Sequence, residues 1–372
     1  MTATVAASSI ITGTGVLGPS VVTVAAGRIA AIALATGPTP ARTLIPGCVD
    51  IQVNGIDRYD CASSDAEDWR ALDELLLQQG VTAWCPTLIT ARLDSYATPL
   101  QRIAVAQSDG RDGQLPVCDL AAPRPQIIGA HLEGPFLGGA PGAHRRDLLA
   151  AIDFDWLASL PPVVRLMTLA PELDGAADAV RQLVAQGIAV SLGHTTATRQ
   201  QFDDAVDAGA TLVTHLFNGM SGVHHRQPGV AAFALADATV SASLIADGIH
   251  VDPLVLRLAF AALGDRSVLV TDAVAWNAQR VGPVRLQMVD GAPRLANGTL
   301  AGSAVSMDAA IRTCVAAGVE LFDAVRAATA RPAAIVNRPD LGHLVVGGRA
   351  DMVALDDRLT VEQTWIAGTP TL

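Results

Sequence analysis

Along most of this chain short apolar runs alternate with stretches whose apolar positions recur at three- and four-residue spacing, the marks of strands and amphipathic helices. Eight runs predict strands at 49–54, 81–89, 127–133, 164–170, 188–194, 210–217, 239–247 and 267–272. Strand and helix in alternation predict a parallel sheet, and eight such units predict an α/β fold, a TIM-like (β/α)₈ barrel over 47–341. Residues 1–46 and 342–372 instead carry short β-like runs broken by Gly and Pro, expected to pair as a small β-sandwich domain formed by both chain ends. After the eighth strand, "VRLQMVDGAPRLANGTLAGS" predicts a hairpin turning at Asp290-Gly291.

Several strands run out of apolar residues at their C-terminal ends. In "CVDIQVNG" Val49, Ile51 and Val53 alternate with Asp50, Gln52 and Asn54, so the polar three are expected on one face. His131 and Glu133 end the third strand, His194 the fifth, His215 the sixth and Asp272 the eighth. An ionisable group that closes an apolar strand is costly unless it is paired or ligated. Barrel enzymes take their catalytic residues from that end. Singly, each histidine reads as a hydrogen-bonded core or loop residue; together, one carboxylate and two imidazoles read as a metal site with an open position. Glu133, His194 and His215 are therefore the expected ligands of one divalent metal, Zn²⁺ first, although the same donors accept Fe²⁺, Mn²⁺ or Co²⁺. His131, two residues before Glu133, is expected to support the ligands from behind. Asp272 reads either as a helix cap or buried acid, or as a general base that takes a proton from metal-bound water.

Composition narrows the field. Of 372 residues half are apolar and 16% charged, a globular composition with room for a large core. A net charge of −11 argues against nucleic acid or an anionic membrane as partner. All 25 basic residues are Arg. The chain thus lacks a Schiff-base lysine, a P-loop lysine and a carboxylated lysine bridging two metals. The N-terminal stretch has neither a basic start nor a long apolar core, and no run reads as a membrane span. Five scattered cysteines (48, 61, 85, 118, 314) suit free thiols in a reducing cytoplasm.

The segments "IPGCVDIQVNG", "HLEGPFL", "GAH", "SLGHTTAT", "THLFNGMSGVHHRQPG", "DGIH", "TDA", "GTLAGS" and "GGRADMV" resemble the N-acetylglucosamine-6-phosphate deacetylases of the amidohydrolase superfamily, from about residue 45 to 355. The resemblance implies hydrolysis of N-acetyl-D-glucosamine 6-phosphate to D-glucosamine 6-phosphate and acetate. Other outcomes stay open: another N-acetylated amino-sugar phosphate, an N-acyl amino acid, or a barrel that has lost catalysis. Many amidohydrolases hold a second metal through HxH on the first strand. Gln52 and Asn54 stand at those positions here, and amides are poor zinc ligands, so one metal is expected, with both amides lining the site.

The resemblance also implies roles for further residues. His144 would bond the acetyl carbonyl and Asp272 would act as general base and acid. Ala143, Asn218, Gly219, Leu300, Ala301 and Gly302 would meet the sugar, while Arg226 and His250 would hold the 6-phosphate. In the family such phosphate ligands can cross between subunits, so a homodimer is expected. Two positions depart from the family pattern: Gln227 replaces a common Glu, and the loop "GGAPGAHRRD" lacks the usual lysine.

Overall fold

The computed structural model describes residues 2–108 and 123–371. Cys118 lies outside the described residues; the other four cysteines are buried, free thiols.

The barrel strands follow in chain order as Cys48–Val53, Val81–Ile89, Ala130–Glu133, Val164–Leu169, Ala189–Leu192, Leu212–Val213, Ser241–Leu244 and Ser267–Leu269. Each is parallel to the next, through seven consecutive pairings. The second strand, "VTAWCPTLI", is buried at every position, because its two faces meet the barrel interior and the surrounding helices. The helix after the first strand, Ala66–Gln78, begins with a reciprocal capping box between Asp65 and Asp68 and buries Trp69, Leu72, Leu76 and Leu77.

Closure between the eighth and first strands is made without a ladder. A single parallel bridge joins Val53 to Ala273. The Asp272 amide donates to the Gln52 carbonyl (2.9 Å), and the Thr271 hydroxyl donates to the Asp50 carboxylate (2.6 Å).

One apolar cluster takes Val49, Ile51, Ala83, Cys85, Ile128, Leu166, Ala189, Leu212, Ile245, Val268 and Val270 from on or beside all eight strands. Only the interior of a barrel touches every strand, so this cluster fills it. Alternation along "CVDIQVNG" fails at one point. The first strand takes three steps between Asp50 and Val53 where its partner takes two between Trp84 and Pro86. That bulge splits the polar trio: Gln52 and Asn54 reach the strand-end carboxylates, whereas Asp50 bonds Thr271.

Outside the barrel, Thr2–Ala7, Ser20–Ala25 and Arg28–Leu34 form an antiparallel sheet. A six-stranded sheet combines Thr43–Pro46 and Ser9–Ile11 with Met352–Leu355 and Val361–Ile366 from the other end of the chain. Val22, Ile29, Leu44, Met352 and Trp365 share one core between these sheets. After the eighth strand, Gln287–Val289 pairs with Ala292–Arg294. The turn falls at Asp290 (φ 50°) and Gly291 (φ 78°), two left-handed residues that the right-handed twist of a hairpin favours.

Candidate active site

Sequence reasoning extends the fifth, sixth and eighth strands to His194, His215 and Asp272; in the structure each strand stops earlier. His194 (φ 51°), His215 (φ 29°) and Asp272 (φ 49°) all have positive φ, as does Phe217 (φ 78°). Non-glycine residues in this region carry strain and end the ladder. The left-handed step turns each side chain off the strand line and into the mouth of the barrel.

There the three expected ligand groups converge. His194 Nε2 lies 3.0 Å and His215 Nε2 2.9 Å from Glu133 Oε1, and the two nitrogens are 3.1 Å apart. His194 Nδ1 donates to the Ala140 carbonyl (3.3 Å) and His215 Nδ1 to the Asn218 carbonyl (3.2 Å). A carbonyl only accepts, so both Nδ1 atoms carry protons and both Nε2 lone pairs face the carboxylate. Three lone-pair atoms at such spacing repel unless a positive charge sits among them. Tetrahedral zinc with bonds of about 2.0–2.1 Å separates its ligands by about 3.3 Å, so the donor set fits a cation of that kind.

The electrostatics carry the same demand. Burial alone would push the Glu133 pKa up, but the His194 and His215 rings set against it outweigh burial and hold the carboxyl well below the usual range. Burial alone would push His215 down, yet the Glu133 carboxylate beside it outweighs burial and raises it. Glu133, His144 and His194 also offer donors within 4.8 Å of one another. His215 lies nearer the Glu133 carboxylate than His144 does. His144 Nε2 stands 3.8 Å from Glu133 Oε2, and its Nδ1 faces the Thr90 hydroxyl (2.8 Å), which can donate and leave the proton on Nε2.

Gln52 and Asn54 bind the carboxylates. Gln52 Nε2 donates to Glu133 Oε1 (3.1 Å) and Asp272 Oδ1 (3.2 Å), while its carbonyl accepts from the Thr214 hydroxyl (2.9 Å). Asn54 Nδ2 donates to Asp272 Oδ1 (2.8 Å), and its own Oδ1 is buried without a hydrogen-bond partner among the described residues. Burial, with the nearby Glu133 charge, pushes Asp272 up to about 8. Burial, with the His194 ring beside it, pushes His144 down to about 3, so it is neutral.

These groups open into a cavity of about 420 Å³, a size suited to a small metabolite. Asn54, Glu133, Ala143, His144, His194, His215, Asn218, Gly219, His250, Asp272, Leu300, Ala301 and Gly302 all line it. Asn218 turns its side-chain amide inward to the His215 and Leu216 carbonyls, both at 3.3 Å. A Cβ on Gly219 (φ 58°) would lie 2.8 Å from His194 Nδ1, so only glycine lets this loop pass behind the ring. His250 Nδ1 bonds Asp247 Oδ2 (2.7 Å).

Three expected residues lie off the cavity wall: Gln52, buried behind the Glu133 and Asp272 carboxylates it bonds, together with His131 and Arg226. His131 bonds the hydroxyls of Thr168 (2.8 Å) and Thr87 (3.4 Å), and burial pushes it down to about 4. Arg226 is exposed, with Nη1 2.8 Å from His225 Nε2. Sequence reasoning missed Thr90, Thr214 and Arg294. Their signals were poor, since threonines fill strands generally and an arginine in a hairpin is usually solvated.

A (β/α)₈ barrel whose strand ends gather two imidazoles and two carboxylates in one cavity is the architecture of a metal-dependent hydrolase. The chain belongs to the amidohydrolase family, whose model matches residues 43–371. It is 37% identical to the N-acetylgalactosamine-6-phosphate deacetylase of Escherichia coli O157:H7, over 99% of each chain. It is also 37% identical to the N-acetylglucosamine-6-phosphate deacetylase of Homo sapiens, over 88% of this chain and 83% of that one. Among solved structures it superposes with a TM-score of 0.89 on N-acetyl-D-glucosamine-6-phosphate deacetylase from Mycobacterium smegmatis, a mutant in complex with N-acetyl-D-glucosamine-6-phosphate. That match has 32% identity and covers 99% of both chains.

Proposed function

We propose that this protein hydrolyses the acetamide of N-acetyl-D-glucosamine 6-phosphate, releasing acetate and D-glucosamine 6-phosphate. The observation that carries the reading is the convergence of Glu133, His194 and His215 beside Asp272 in one cavity. Glu133, His194 and His215 would hold one divalent cation, Zn²⁺ by its match to the donors. When bound, that ion polarises the amide carbonyl and brings the pKa of a water toward ~7. Asp272, beside that site, would be the ionised base once the cation is held. Asp272 then accepts a proton from the attacking water and later gives it to the departing amine. Asn54 and Gln52 hold the carboxylate in place for both transfers. His144, neutral and with Nε2 toward the centre, donates to the carbonyl oxygen as negative charge develops on it. Ala143, Asn218, Gly219 and the Leu300–Gly302 stretch enclose the sugar, and His131 braces the third strand behind Glu133.

His250 meets the 6-phosphate, joined by Arg226 reaching across the interface of a homodimer. Free, buried thiols support a cytoplasmic setting. No described helix is long and apolar enough to cross a membrane. A second substrate, N-acetyl-D-galactosamine 6-phosphate, is favoured by the relative that matches over 99% of both chains.

An acetate-release assay on both epimers, with and without the 6-phosphate and after loading with Zn²⁺, tests the reading. The highest kcat/KM belongs to the glucosamine phosphate ester. A higher value for the galactosamine ester moves the assignment to that epimer, and no acetate from any substrate refutes it.

A further inference from the structure

We propose that Arg294 binds the anionic group of the substrate from within the same chain, as the cavity's own permanent cation. This rests on the sugar-phosphate reading above and adds a binding residue to it.

Among the described residues that line the cavity, Arg294 is the one Arg or Lys. Glu133 and Asp272 face the same space. The divalent cation that the strand-end donors would hold is balanced by these two carboxylates, so a phosphate dianion at the other end of the substrate still needs a positive charge of its own. The imidazole of His250 is committed on one side to Asp247, leaving a single ring nitrogen for a ligand. Arg226 sits outside the wall of its own chain's cavity.

Arg294, by contrast, is positioned and uncommitted. It ends the strand Ala292–Arg294, is held in register opposite Gln287, and is bridged to Leu300. Its backbone is thus tied to the stretch whose Leu300, Ala301 and Gly302 line the cavity. Among the described residues it has no ion pair, and its one hydrogen bond runs from Nη1 to the Gly298 carbonyl within the same hairpin (2.9 Å). The rest of the guanidinium fork remains available, and its planar geometry matches two phosphate oxygens. Placement agrees with the chemistry of the substrate. In a 2-acetamido hexose 6-phosphate the acetamide and the phosphate leave the ring on different sides. The cation belongs on the inserted hairpin, and the hydrolytic groups belong at the strand ends.

The test measures kcat/KM for N-acetyl-D-glucosamine 6-phosphate and for unphosphorylated N-acetyl-D-glucosamine, in wild type, Arg294→Ala, Arg294→Lys and Arg226→Ala. The ratio of the two values should fall about 10- to 100-fold in Arg294→Ala, chiefly through KM for the ester, with partial recovery in Arg294→Lys. Inorganic phosphate should inhibit wild type competitively and Arg294→Ala more weakly. Arg294→Lys keeps the charge and the aliphatic stem, so it reads the same interaction if the alanine variant does not fold. A ratio unchanged in both Arg294 variants overturns the proposal, and a loss confined to Arg226→Ala assigns the anion to the subunit interface. If wild type shows no preference for the ester, the substrate reading itself has failed.

Discussion

The barrel interior has two storeys built by the same eight strands, and they obey opposite rules. Below, Val49, Ile51, Ala83, Leu166, Val268 and Val270 pack as hydrocarbon, with no charged group among them. Above, one to five residues further along the first, third and eighth strands, Gln52, Glu133 and Asp272 are buried polar groups joined by hydrogen bonds. The lower storey stabilises the fold through burial. The upper one concentrates repulsion that only a cation relieves. Stability and chemistry are therefore separated along each strand by about one side chain, and substitutions should sort by storey.

The largest effect belongs to the upper storey. Glu133→Gln removes the one negative charge shared by His194 and His215, so metal content by elemental analysis and acetate release should both collapse. Asp272→Asn should leave metal content near that of wild type while kcat drops by about 10²- to 10⁴-fold. Together the pair separates holding the ion from moving the proton.

Leu166→Ala, in the lower storey, should cost about 2–5 kcal/mol in chemical denaturation. Its kcat should stay within a few-fold of wild type while the protein is folded. A large loss of kcat in that variant would erase the distinction between storeys.

Asp50 sharpens the comparison at the boundary, because it is fully buried yet touches neither Glu133 nor Asp272. Burial pushes it up to about 7 against the bonds from Thr271 and Gln52. The folded chain therefore holds this proton more tightly than the unfolded chain does. The stabilisation is complete below the ordinary value of 3.8 and is lost as pH rises through about 7. Asp50→Asn should flatten the fall of stability across that window, measured by denaturant midpoints at several pH values.

The smallest effect is expected at Thr90. Replacing it with Val removes the hydroxyl that orients His144, and kcat should fall about 5-fold with little change in stability.

Much of this was legible in the chain. The eight apolar runs and their polar endings named Glu133, His194, His215 and Asp272, because an acid or imidazole closing a buried strand must be paired or ligated to be tolerated there. What failed was strict alternation. It placed Asp50 with Gln52 and Asn54, and a bulge between Asp50 and Val53 sends Asp50 to Thr271 instead. It also drew the sixth strand through His215, where a left-handed backbone stops pairing at Val213. Local pattern carries no record of a bulge or of a positive φ imposed from across the barrel. Arg294 escaped for a related reason: which hairpin residues face a cavity is decided by tertiary placement alone.

The seam between the first and last strands has a consequence for the life of the chain. Gln52 and Asp272 are 220 residues apart in sequence, yet they meet at the one place where the barrel lacks a ladder. A nascent chain cannot bring Gln52 to Asp272, the proposed proton-transfer group, until nearly the whole barrel has left the ribosome and its first strand has found its last. On the proposed mechanism turnover should therefore report circle completion, with fragments and half-closed intermediates expected to be silent.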